Sequence, residues 1–232
     1  MSDCTQCAVR SRAVCAALAP DERAMLSQLG RMQTVKRGQA LLWEGDDALL
    51  VANVVEGVLK LSTATSSGRE QIVGVVYPSD FIGRPFGRLS QHSVTALVDS
   101  RVCIFSRQSF DAMAREFPGL GHALLTRTLD ELDRARRWML LLGRKSAGER
   151  IASFLLELSQ RLAEANCTAD PAPLREFELP LDRQQIADVL GLTIETVSRQ
   201  FTQLRASGLI DLPGRRSVAI VDRAALEAMA GD

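Results

Sequence analysis

The segment from Leu181 to Leu209 constrains this chain more than any other. Asp182 with Gln185 three residues on has the spacing of a capping box, in which the two side chains reciprocally satisfy backbone N–H groups opening a helix. That helix is expected to run through Leu190, and Thr193 is an N-cap for a second one reaching about Ala206. Between them Gly191-Leu192 reads as a tight turn. Ala187 is small enough for close helix crossing, Gly191 tolerates positive φ, and Val197 is an apolar residue that locks the second helix, so the segment reads as a helix-turn-helix. Glu195, Thr196, Ser198, Arg199 and Gln200 then occupy the first turns of the second helix, the part of this motif that enters the major groove of double-stranded DNA. Arg199 can bond bidentately to guanine O6 and N7, Glu195 can accept from a cytosine N4 amine, and Ser198 can contact a thymine or a phosphate. Gly208 to Ile220 reads as a strand-turn-strand wing with Arg215 and Arg216 at its tip for phosphates. The competing reading, a helical pair with exposed charges, leaves the agreement of cap, turn glycine, small residue and basic wing as coincidence.

The rest of the composition is permissive. With 46% hydrophobic residues in 232, the chain can bury a sizeable core. Its longest apolar runs, such as Ala48–Ala52 and Trp138–Leu142, are far short of the roughly 20 residues of a membrane span. No membrane association is expected. Met1-Ser2-Asp3-Cys4 lacks the basic start and apolar core of a signal peptide, which predicts a cytoplasmic protein whose thiols stay reduced. Formal net charge is +0, and from Lys145 onward ten basic residues face thirteen acidic ones. Overall charge therefore points to no polyanion, and phosphate contacts must come from local placement of arginines.

The chain divides by pattern. Residues 1–20 are a short cysteine-rich segment without an apolar face of its own. Within 21–117, Asp21 to Gly30 reads as a short helix with Met25, Leu26 and Leu29 on one side. Short β-type runs follow at Ala40–Trp43, Ala52–Val55, Val58–Ser62, Gln71–Val76, Ser93–Val98 and Val102–Phe105, broken by Gly38, Gly45, Gly57, Ser67-Gly68, Pro78 and Gly83. This rhythm favours an antiparallel β-roll over a parallel sheet. Residues 118–145 form a long helix on which Leu125, Thr128, Leu132, Ala135 and Met139 recur at heptad spacing, the seam of a homodimer or a stripe packed on the chain's own sheet. Arg127, Asp130, Asp133, Arg134 and Arg137 flank it as a solvated face. Residues 146–232 hold a helix from about Ser146 to Glu164, a loop with Pro171 and Pro173, and the winged helix-turn-helix. The fold class is α+β.

Cys4-x-x-Cys7, Cys15 and Cys103 offer four thiols, and by spacing alone they suit an iron–sulfur cluster, a structural zinc or a redox dithiol, with a buried core thiol a further reading of Cys103. Cys167 lies in a polar loop and reads as a bystander. His92 and His122 are too separated for a metal site, although one could serve as a single haem ligand. No nucleophile–base pair, phosphate loop or paired carboxylates mark the chain as an enzyme.

The run Leu190-Gly-Leu-Thr-Ile-Glu-Thr-Val-Ser-Arg199 resembles the recognition region of the FNR branch of the CRP/FNR superfamily, with Glu195, Ser198 and Arg199 matching its E-x-x-S-R motif. The likeness extends to the β-roll rhythm, Met139-Leu-Leu-Leu142 and Ala147-Gly-Glu-Arg-Ile-Ala152. It implies a cyclic-nucleotide-binding-like β-roll, a dimerisation helix, binding of an inverted repeat resembling TTGAT-N4-ATCAA, contact with RNA polymerase, and control by oxygen. It also implies a [4Fe-4S] cluster on Cys4, Cys7, Cys15 and Cys103, although the Cys7–Cys15 gap departs from the family's commonest form. The stretch Asp80-Phe-Ile-Gly-Arg-Pro-Phe-Gly-Arg88 lacks the glutamate of cyclic-nucleotide binders, so no cyclic nucleotide is expected; Arg84 and Arg88 remain as anion contacts or surface residues. Where the family carries an acidic residue on the dimer helix that keeps cluster-free protein monomeric, this chain has Ala135.

Overall fold

The computed structural model describes residues 4, 6–66, 68, 70–165 and 171–231. They form two compact units, residues 1–133 and 134–232. Cys167 lies outside the described residues.

In the first unit, strands β1 (Arg31–Val35), β2 (Ala40–Leu42), β3 (Leu50–Glu56), β4 (Leu59–Ala64), β5 (Glu70–Val76), β6 (Phe81–Ile82), β7 (Ser93–Ala96) and β8 (Ser100–Ser106) build two antiparallel sheets. Their orders are β1-β8-β3-β6 and β2-β7-β4-β5, the expected β-roll. The period-two alternation of a strand sends Ala52, Val54, Val102 and Ile104 inward, where they meet Leu42, Leu59, Val76, Val94 and Ala96 of the other sheet. The opposite face of β3 and β8 carries Val51, Val55, Cys103 and Phe105, and it is buried as well. Its cover is the N-terminal segment (Val9, Ala13, Val14, Cys15, Leu18), Leu26, and Phe110, Met113 and Ala114 of a helix over Arg107–Glu116. Gly57 turns the chain out of β3 at φ +88, and a Cβ there would stand 2.2 Å from Ser100 Oγ, so only glycine fits.

Three local expectations change. The first helix, α1 (Pro20–Leu29), buries Leu26 alone, while Met25 and Leu29 are 46% and 43% exposed. Strand β1 carries no apolar period because it is a sheet edge whose one buried residue is Val35. The helix Arg107–Glu116, α2, is announced only by its cap, in which Ser106 Oγ accepts from Ser109 N at 3.1 Å.

The long helix α3 (Pro118–Arg144) begins by packing Leu120 and Leu124 onto the covering layer. Beyond them Leu125, Thr128, Leu129 and Leu132 are exposed, and further along so are Ala135, Met139 and Leu140. Within the first unit, Leu125 at 57% and Leu132 at 43% exposed do not pack onto the β-roll. No helix among the described residues is long and apolar enough to cross a membrane.

The second unit packs α4 (Ala147–Ala165), α5 (Arg183–Leu190), α6 (Ile194–Ala206) and α7 (Arg223–Ala230) with a small sheet of β9 (Glu176–Glu178), β10 (Ile210–Asp211) and β11 (Ser217–Ile220), ordered β10-β11-β9. Helix α4 buries Ile151, Phe154, Leu155 and Leu158 at helical spacing. Arg150 binds three carbonyls at once: Lys145 O at 2.9 Å, Leu142 O at 2.8 Å and Leu190 O at 2.9 Å. Glu157 accepts from Trp138 Nε1 at 3.5 Å, and burial raises its carboxyl above the usual range despite that bond and the charges of Arg161, Arg134 and Arg137. A raised folded-state value means this contribution to stability is full below the unfolded carboxyl value of about 4.3 and is lost as pH rises through the folded one. Glu157→Gln is expected to stabilise the second unit at neutral pH and to lose that advantage in acid below the unfolded value, read from denaturant midpoints at the two pH values.

Candidate functional site

The helix-turn-helix forms as its local chemistry dictates. Gln185 N donates to Asp182 Oδ1 and Asp182 N donates to Gln185 Oε1, each at 2.9 Å, closing the capping box. Gly191 ends α5 at φ 61, and Thr196 N donates to Thr193 Oγ1 at 3.2 Å to open α6. Ala187 and Val197 are fully buried in the crossing. Arg183, at the start of α5, lies 3.3 Å from the Phe201 ring centroid, and burial lowers its guanidinium to about 10.

Glu195, Ser198 and Arg199 share the exposed face of α6, with Thr202 and Gln203 continuing it one turn on. The Glu195 carboxylate is held below its usual range by its own backbone N–H and the Thr193 hydroxyl, so it is an ionised acceptor. Thr196 closes the cap, its hydroxyl accepting from Thr193 Oγ1 at 3.2 Å. Gln200 turns the other way: a Cβ on Gly148 of α4 would meet Gln200 Oε1 at 3.1 Å. The two wing arginines also part company. Arg215 is exposed at the tip, whereas Arg216 Nη2 donates to Pro180 O at 2.9 Å and its Nε is buried without a partner.

In the first unit, Cys15 and Cys103 are each 7% exposed and Cys7 packs against the same apolar cluster. Burial pushes the Cys15 thiol up to about 11, and the neighbouring Cys7 and Cys4 thiols push in the same direction, with Arg23 opposing. None of the four sequence-selected cysteines is in a disulfide, and Cys4 stands within electrostatic reach of Cys15. As the side chains lie, no three of the described His, Cys, Asp and Glu residues are arranged to hold a metal ion. The four thiols are the donor set that a four-thiolate group would use, with Cys7, Cys15 and Cys103 in one apolar layer and Cys4 within electrostatic reach of Cys15. Asn53, 2% exposed, is the direct cross-strand neighbour of Cys103, and its Oδ1 has no hydrogen-bond partner. Leaving such an atom unpaired costs about 1–3 kcal/mol.

Two arginines tie the cysteine segment down. Arg23 Nε donates to Cys15 O at 3.2 Å and its Nη2 to Leu18 O at 2.8 Å. Arg127 of α3 donates to Arg12 O, so it is a clamp and not part of a solvated face.

Residues 149–229 match the Crp-like helix-turn-helix domain and residues 32–117 the cyclic nucleotide-binding domain. The transcriptional activator protein FnrL of Cereibacter sphaeroides is 45% identical over 229 residues, which are 99% of this chain and 92% of FnrL. The chain belongs to the CRP/FNR family. Also similar are the nitrogen fixation regulation protein FixK of Bradyrhizobium diazoefficiens, 38% identical across 98% of this chain and 93% of FixK, and the solved structure of FixK2 from Bradyrhizobium japonicum, with TM-score 0.78 and 32% identity over 86% of this chain and 96% of that one. This CRP/FNR chain is a DNA-binding transcription regulator and not an enzyme.

Within the part matching the cyclic nucleotide-binding domain, the stretch after β6 folds onto itself. Arg84 lies across Gly87, where a Cβ would meet its Cδ at 2.6 Å. Phe86 N donates to Asp111 Oδ1 at 3.1 Å, and Asp111 is buried and paired with Arg107 at 3.1 Å. Sequence reading singles out the cysteines and the α6 face but gives no sign of the burial of Asn53, the clamp of Arg127 or the inward turn of Arg216, none of which carries a local signal. Arg216→Ala is expected to lower stability by about 1–3 kcal/mol, and Arg215→Ala to leave it within about 0.5 kcal/mol, measured by denaturant unfolding.

Proposed function

We propose that this regulator is oxygen-responsive: it reads an inverted repeat resembling TTGAT-N4-ATCAA as a homodimer while Cys4, Cys7, Cys15 and Cys103 hold a [4Fe-4S] cluster. The observation that carries the reading is that Cys7, Cys15 and Cys103 share one apolar layer, with Cys4 within electrostatic reach of Cys15. When bound, the cluster supplies a four-thiolate crosslink between the N-terminal segment and β8 that oxygen can remove.

The chain's own residues do the rest. Cys103 fixes one end of that crosslink in the middle of a sheet, and Cys15 lies under Arg23. Arg127 links the intervening Arg12 carbonyl to α3. Ordering of the segment therefore bears directly on the first turns of the helix whose exposed Leu125, Thr128, Leu132, Ala135 and Met139 suit a second copy. Two copies present two α6 faces to two half-sites, and each half-site contributes to affinity only while both are held together. Arg199 reads guanine, Glu195 cytosine, and Ser198 a thymine or phosphate, while Arg215 adds a phosphate contact at the wing. Contact with RNA polymerase belongs to the same reading. So does the absence of a cyclic nucleotide, supported by Arg84 folding over Gly87.

Protein purified without air is expected to be coloured and to contain four irons and four acid-labile sulfides per chain, and to shift a TTGAT inverted repeat in a gel. A colourless protein with zinc in place of iron and sulfide would overturn the cluster. Failure of the iron-loaded protein to bind the repeat would overturn the assigned operator. Arg199→Ala is expected to reduce discrimination at the guanine position by about 1–3 kcal/mol, read by competition against single-base operator variants.

A further inference from the structure

We propose that Glu131 and Arg136 of α3 are the pairing code of the homodimer: the Glu131 carboxylate of one copy meets the Arg136 guanidinium of the other and holds the two helices parallel and in register. This rests on the homodimer reading above and is independent of the cluster.

Helix α3 runs without interruption over Pro118–Arg144. Leu125, Leu132 and Met139 recur on it every seven residues, with Thr128 and Ala135 between them, and all five are exposed. In a two-stranded coiled coil built on such a seam, the residue before each of the first set flanks the seam on one side, and the residue after each of the second set flanks it on the other. Leu124, Glu131 and Trp138 form one flank, and Leu129, Arg136 and Gly143 the other. Between parallel, in-register helices each member of the first flank meets the residue five positions on in the other copy. The three meetings are Leu124 with Leu129, Glu131 with Arg136, and Trp138 with Gly143. Only the second carries charge, and its two charges are opposite. Glu131 and Arg136 are both exposed. The other charged residues of this stretch, Asp130, Asp133, Arg134 and Arg137, occupy neither flank.

The pair cannot close within one helix, because five residues place two side chains roughly 140° apart around its axis. Across copies it also rejects the wrong arrangements. Antiparallel helices set like flank against like flank, so Glu131 and Arg136 no longer meet. A slip of one heptad leaves Glu131 against Leu129 or Gly143, and Arg136 against Leu124 or Trp138. Only the parallel, in-register dimer satisfies both charges, twice over, and that is the two-fold arrangement an inverted repeat requires.

The test uses the full chain, purified without air, and sedimentation to measure self-association. Glu131→Arg and Arg136→Glu each place two like-charge meetings in the homodimer, and each is expected to raise its dissociation constant about 10-fold or more. Mixing the two variants should produce a heterodimer at least as tight as the wild-type dimer, since both of its meetings are attractive, and the double swap in one chain should restore self-association. Single reversals that dimerise like wild type overturn the proposal, as do weakened ones that neither mixing nor the double swap rescues; in both cases the homodimer reading stands. If a reversal fails to fold, Glu131→Gln, Arg136→Gln and their double variant decide: a double variant no weaker than either single is expected, and additive losses overturn the pair. Wild type that stays monomeric with its cluster loaded overturns both the pair and the homodimer.

Discussion

Double burial of the β3–β8 pair is the constraint on which the first unit depends. One face of these strands closes the β-roll and the other is roofed by the N-terminal segment, α1, α2 and the start of α3. A two-sided strand has no solvated face to give up, so removing the roof exposes Val51, Val55 and Phe105 together. The roof includes a segment too short and polar to make a core of its own. Its order is borrowed from a sheet, from Arg23 and Arg127, and, in the proposed working form, from four sulfurs. That is a physical basis on which the segment would respond to the proposed cluster while the β-roll beneath persists.

How much was legible in the sequence follows from the range of the interactions. The helix-turn-helix rests on pairs three residues apart, Asp182 with Gln185 and Thr193 with Thr196, and on one glycine with positive φ, so local spacing carries it. The β-roll was readable as a rhythm of turns, but β3 lacks alternation because both of its faces are buried, and β1 lacks it because four of its five residues stay near solvent. Asn53 beside Cys103, and Arg127 on Arg12 across 115 positions, exist only after folding. Arg215 and Arg216 are chemically identical neighbours, and only the path of β11 past Pro180 separates a solvent-facing arginine from a buried tie.

The electrostatics show why net charge says little about nucleic-acid binding. From Lys145 onward the chain carries more acidic than basic residues, yet acidic groups there go to caps and ion pairs: Asp182 and Asp222 cap helices, and Asp211 pairs with Arg205. Arg199 and Arg215 stay exposed and so free for the phosphate and base contacts proposed for them. Glu195 stays ionised on the same face as Arg199, and in the proposed reading it would disfavour wrong bases as well as favour cytosine.

Arg150 has a mechanical meaning. Its guanidinium grips Leu142 O at the end of α3, Lys145 O in the bend and Leu190 O at the turn before α6, three points that would otherwise hinge independently. With that pin in place the last turn of α3 and the reading helix form one stiff lever arm, without slack at the bend. In the proposed dimer, a rotation of that last turn against the second copy would be carried to α6 through these three bonds.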